Sequence, residues 1–131
     1  MSDKNRVMIV DDSKMIIKLI QGFLETYNIE IVGTASDGKA AIDLFKKTNP
    51  DIVTLDITMP ELDGLTVLEE ILKINASAKV VVISALTDNA TALKALRIGA
   101  KDFIPKPFKE ENLKVVLDRL IIEENVNPWQ I

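Results

Sequence analysis

Pro50-Asp51-Ile52-Val53-Thr54-Leu55-Asp56-Ile57-Thr58-Met59-Pro60-Glu61-Leu62-Asp63-Gly64 carries the plan of the fold. The apolar run Ile52 to Leu55 opens after a proline, ends on Asp56 and gives way to a loop containing Pro60, Asp63 and Gly64. That is the pattern of a short buried strand stopping at an acid. An acid in this position has two readings. It can form a turn by bonding its own backbone, or it can serve chemistry, because open parallel sheets hold ligands just outside the carboxyl ends of their strands. What the other strands deliver to the same rim weighs between the two.

Working outward, Arg6 to Val10 is a compact apolar strand that ends in Asp11-Asp12-Ser13. Two adjacent acids repel each other, and a turn needs only one. Ser13 is the expected N-cap of a helix carrying Ile16, Leu19, Ile20, Phe23 and Leu24. Ile29 to Ala35 is a second strand, interrupted by Gly33, and Ser36-Asp37-Gly38 leads into a helix to about Lys47 with Ala41, Ile42, Leu44 and Phe45 inward. Beyond Gly64, the residues Leu65, Leu68, Ile71 and Leu72 mark a third helix ending near Asn75. Val80 to Ile83 is apolar throughout, as in a strand covered on both faces, and stops at Ser84. Asp88 or Asn89 caps a fourth helix, alanine-rich, with Leu93 and Leu96 in its core stripe and Gly99 at its end. Asp102-Phe103-Ile104 is a brief strand entering Pro105-Lys106-Pro107, and Leu113, Val116, Leu117, Leu120 and Ile121 stripe a last helix.

Strand and helix alternate five times with short connections, which predicts an α/β fold: a doubly wound, five-stranded parallel sheet with five helices. Asp11, Asp12, Asp56, Ser84 and Lys106 then fall on one rim. The flavodoxin-like strand order 2-1-3-4-5 is taken from known folds of this class and from no residue of this chain; its switch point lies between strands 1 and 3, which deliver the three acids.

The 131 residues suit one domain, and 47% hydrophobic content is enough for a core. A net charge of −4 without a basic block argues against nucleic-acid binding by this chain alone. No apolar run approaches the roughly 18 residues of a membrane span, and the expected location is the cytoplasm. With neither cysteine nor histidine, the chain has no disulfide, thiolate or imidazole metal site, and cannot be a phosphohistidine donor. Three gathered carboxylates either rise in proton affinity or take up a cation. An all-oxygen set suits a hard ion, Mg²⁺ or alternatively Mn²⁺. Lys106 adds a point charge fit for a phosphate, and Asp56 beside both becomes a credible nucleophile toward phosphorus.

Four separated motifs carry a resemblance: Ile9-Val10-Asp11-Asp12-Ser13, the stretch from Leu55 to Gly64, Ile83-Ser84-Ala85, and Gly99-Ala100-Lys101-Asp102-Phe103-Ile104-Pro105-Lys106-Pro107-Phe108. From about Arg6 to Glu123 the chain resembles the receiver domains of bacterial response regulators, most of all the stand-alone chemotaxis receivers of the CheY type. The resemblance implies Asp56 as phosphoacceptor. It implies Mg²⁺ held by Asp12, Asp56 and the main-chain carbonyl of Thr58, with Asp11 reaching it through water. Lys106 would pair with the acyl phosphate, and its bond to Pro107 would be cis. Ser84 would follow the phosphate as the switch hydroxyl. Phe103 would turn in response, reshaping the face of the fourth helix, fifth strand and fifth helix. Thr58 and Leu86 would tune a slow self-dephosphorylation, without the chain being a dedicated catalyst.

The implied partners are a sensor histidine kinase of the CheA type and a flagellar motor switch protein. A phosphate relay or sink in another pathway, and the receiver part of a DNA-binding regulator, stay open. The segment 124–131 is expected to be a short tail, with Trp129 a frayed end or a docking residue. Two rivals fit less well. A flavin mononucleotide carrier of the same fold would be repelled at Asp11-Asp12, and a haloacid dehalogenase-type phosphohydrolase needs a second acid where Thr58 stands.

Overall fold

A computed structural model of the chain describes residues 5–59, 63–85 and 89–125, with side chains to residue 121. The elements alternate as β1 (Asn5–Val10), α1 (Lys14–Leu24), β2 (Ile29–Ala35), α2 (Gly38–Thr48), β3 (Ile52–Leu55), α3 (Gly64–Ile74), β4 (Lys79–Ser84), α4 (Asn89–Ile98), β5 (Asp102–Pro105) and α5 (Glu110–Asn125). The five strands form one parallel sheet in the order β2-β1-β3-β4-β5, as expected. β1 and β2 slip register between Val7 and Met8, where Val7 faces Ile31 and Met8 faces Gly33. The interruption read at Gly33 is thus a local irregularity of the ladder.

Polar residues start the helices. Ser13 Oγ accepts the Ile16 N–H at 3.3 Å, Asp37 Oδ1 the Ala40 N–H at 2.8 Å, and Asp63 Oδ1 the Leu65 N–H at 3.1 Å. Asn49 closes α2 in the left-handed conformation with φ 43°. The alternative cap Asp88 lies outside the described residues.

Side chains alternate between two cores, one on each face of the sheet. Met8, Val10, Val53, Leu55, Val80 and Val82 pack with Phe45 of α2, Leu68 and Ile71 of α3 and Ala95 of α4. Val7, Ile9, Ile52, Val81, Ile83 and Ile104 pack with Ile20 and Leu24 of α1 and with Leu113, Leu117 and Leu120 of α5. Three leucines read as core are not. Leu19, Leu93 and Leu96 are 40%, 48% and 42% exposed, and the buried residue of α4 is Ala95. A small residue lets α4 lie close to its neighbours, which turns its two leucines outward.

Candidate functional site

The sheet ladder itself positions the rim residues. The Asp11 N–H bonds to Ala35 O of β2 at 3.0 Å, the Asp56 N–H to Val10 O of β1 at 3.0 Å, and the Lys106 N–H to Ser84 O of β4 at 2.8 Å. Each of these three residues is therefore one step beyond a strand, with its main chain already fixed. The hydrogen-bonded backbone is stiff, so the side chains converge at little further entropy cost.

Asp11 and Asp56 are buried, 1% and 2% exposed, whereas Asp12 faces solvent. Carboxylate oxygens of the three lie within 4.8 Å of one another. Lys106 Nζ sits between the two buried acids, 2.8 Å from Asp11 Oδ2 and 3.2 Å from Asp56 Oδ2. Burial pushes the Asp11 carboxyl above its ordinary range, against the opposing hydrogen bonds from Lys106 and the Ser13 N–H. Burial pulls the Lys106 ammonium down, but the bond to Asp11 and the charges of Asp56 and Asp11 outweigh it, so its pKa is raised overall.

The turn-forming reading of an acid after a strand holds at both loops. Asp56 Oδ1 accepts the Thr58 N–H at 2.8 Å and Asp11 Oδ1 accepts the Ser13 N–H at 2.9 Å, each a turn closed two residues on. The turns use one oxygen of each carboxylate and leave the second, Oδ2, aimed at Lys106. The Lys106–Pro107 peptide bond is cis.

The donor set fits a hard divalent cation. It is all oxygen, clustered within one ion's reach and partly open to solvent through Asp12, with one Asp56 oxygen bonded to a lone ammonium. Ser84 is fully buried at the end of β4, opposite Pro105 in the ladder. Phe103 is not among the acids. Its half-buried ring packs on the core shared with Val82 and Ala95, and it lines a cavity of about 310 Å³ with Asp102, Ile104, Pro107, Val115 and Val116 between β5 and α5.

Two features of the site were not read from the sequence. One is the bond that the Thr58 hydroxyl donates to Asp56 Oδ1 at 2.6 Å, although Thr58 itself was expected at the site. The other is Gly64, where an added Cβ would lie 2.2 Å from the Ile57 Cα. Its lack of a side chain lets the start of α3 press against the loop that follows Asp56. Leu86 and Trp129 lie outside the described residues.

A sequence model described as the response regulator receiver domain matches residues 7–118. The chain is 39% identical to the chemotaxis protein CheY of Thermotoga maritima, covering 88% of this chain and 96% of that one. It is 42% identical to protein CcdB of Bacillus subtilis, covering 88% and 97%. Among solved structures, a chain of the CheX-CheY-BeF3-Mg²⁺ complex from Borrelia burgdorferi superposes with a TM-score of 0.83 at 36% identity, covering 94% of this chain and 90% of that one.

Proposed function

The chain belongs to the response regulator receiver family, and from that premise we propose that it accepts a phosphoryl group on Asp56 from a sensor histidine kinase and thereby changes its affinity for a partner protein. The observation that carries this reading is the pocket in which Lys106 Nζ bonds Asp11 and Asp56 beside the exposed carboxylate of Asp12. Asp12, Asp56 and the Thr58 carbonyl would hold Mg²⁺, with Asp11 behind water. When bound, the ion supplies positive charge that offsets the repulsion between carboxylate and incoming phosphate.

The chain's own groups do the rest. An Asp56 oxygen attacks phosphorus, an O–P bond forms, and the bond from phosphorus to the donor's nitrogen breaks, with the electron pair leaving on that nitrogen. Lys106 exchanges its carboxylate partner for a phosphate oxygen, which conserves its pairing while the added charge settles. The Ser84 hydroxyl follows the same phosphate, and Phe103 responds through the core they border. The outcome is a population shift: the partner binds one state better, and phosphate favours that state. Thr58 has no acid-base capacity near neutral pH, which supports slow self-dephosphorylation in place of dedicated catalysis.

The finer reading is a stand-alone chemotaxis receiver in the cytoplasm, taking phosphate from a CheA-type kinase and docking on a flagellar motor switch protein. Similarity to CheY proteins along nearly their full length supports it. So do the exposed apolar residues of the two helices, Leu93 and Leu96 on α4 and Val115 on α5, the last lining the Phe103 cavity. Among the described residues no helix is long and apolar enough to cross a membrane. The second reading, a receiver serving another two-component pathway, is supported by the 42% identity to protein CcdB, a relative not named as a chemotaxis protein.

Acetyl phosphate with Mg²⁺ tests the acceptor. Intact-mass analysis is expected to find one acid-labile phosphoryl group on the wild type and none on Asp56→Asn. Equal labelling of both would exclude Asp56.

A further inference from the structure

Asp56 Oδ1 takes two hydrogen bonds from a single residue, the Thr58 N–H at 2.8 Å and the Thr58 hydroxyl at 2.6 Å. Any residue at position 58 can supply the first, because it closes the turn. Only a hydroxyl residue supplies the second, a short bond of the charge-assisted kind. Burial does not force it, since Thr58 is exposed and water could serve its hydroxyl. The first loop provides an internal comparison. Asp11 Oδ1 accepts the Ser13 N–H in the same manner, but the Ser13 hydroxyl turns away to cap α1 at Ile16. The same turn occurs twice, and only at Asp56 does a hydroxyl cover the carboxylate.

We propose that the Thr58 hydroxyl is a positioning group that holds Asp56 Oδ1 and competes with a divalent cation for that oxygen. The inference rests on the reading of Asp56 as a cation-binding phosphoacceptor. A carboxylate has about four acceptor sites. Thr58 uses two on Oδ1, and Lys106 uses one on Oδ2. A cation reaching Oδ1 must therefore displace a Thr58 bond. The N–H is fixed by the backbone, while the hydroxyl is released by rotation about χ1. Until that happens the carboxylate plane is held, and Oδ2 remains the oxygen turned toward Lys106. Thr58 thus sets how readily the resting site takes up metal, separately from anything it does to a bound phosphate.

Isothermal titration of MgCl2 into the metal-free, unphosphorylated full chain tests this. Thr58→Val keeps the volume, the β-branch, the N–H and the carbonyl but removes the donor, and Thr58→Ser restores it. Thr58→Val is expected to bind Mg²⁺ about five- to tenfold more tightly, the scale of one ordinary net hydrogen bond. Thr58→Ser should stay close to the wild type. Thr58→Ala carries the same expectation as Thr58→Val if the valine variant folds poorly. A valine or alanine variant that binds Mg²⁺ no more tightly than the wild type overturns the assignment of Thr58. If the wild type binds and Asp12→Asn does not, that failure leaves the acidic pocket standing. A wild type that takes up no Mg²⁺ overturns the pocket and this inference together.

Discussion

The Thr54 hydroxyl, buried in β3 two residues before Asp56, has no hydrogen-bond partner among the described residues. A buried donor left unmet costs free energy that a methyl group of the same shape does not. Thr54→Val is therefore expected to raise unfolding stability by about 1 kcal/mol in urea titrations; a loss of stability would mean that the hydroxyl is satisfied. Asp11 is unfavourable in another way. Its pKa is raised in the fold, so the stability it contributes below its unfolded value near 3.8 is lost as pH rises through the folded value. The Lys106 ammonium offsets the burial of Asp11 only in part, and a cation would relieve it further.

At the scale of elements, the loop after β3 is clamped by α3. Gly64→Ala would bring a Cβ to 2.2 Å from the Ile57 Cα and 2.4 Å from its Cβ, so the helix start or the loop must move. Overpacking of this kind costs about 1–3 kcal/mol, and because the loop carries Thr58, labelling of Asp56 by acetyl phosphate is expected to slow as well. Thermal melts and labelling time courses check both; an unchanged melt and rate would show that the clamp is slack. The strands were legible in the sequence above all because three of them, β1, β3 and β4, are apolar runs that each end at a polar residue, as suits strands buried on both faces. The three acids were legible for the same reason, since they fall at strand ends on one rim. Helix α4 was not. Its leucines outweigh its alanines on any hydropathy reading, but contact distance between helix and sheet favoured Ala95 inward. Nor was the resting partnership of Lys106 with Asp11 and Asp56, because side-chain direction depends on neighbours 95 and 50 residues away.

For the molecule as a whole, two groups tie stability to alkaline pH with the same sign. Burial and the neighbouring Asp118 carboxylate push the Tyr27 phenol up to about 12, and its hydroxyl reaches the Lys114 carbonyl of α5 at 3.4 Å. The Lys106 ammonium is raised as well. For each, stability is intact below the unfolded pKa and is lost as pH rises through the folded one. Urea-unfolding stability should therefore fall from pH 10 toward 12, and less steeply in Tyr27→Phe; identical slopes in the two proteins would remove Tyr27 from this role. The proposed phosphorylation would act on the same framework at the site where Lys106 meets the carboxylates of Asp11, Asp12 and Asp56. A crystal structure of the chain with Mg²⁺ and beryllofluoride tests that proposal most directly. The expected result has beryllium on an Asp56 oxygen, the cation against Asp12, Asp56 and the Thr58 carbonyl, and Lys106 moved from the carboxylates to a fluoride. Beryllofluoride bound away from Asp56, or a Lys106 still bridging Asp11 and Asp56 beside an occupied site, would contradict it.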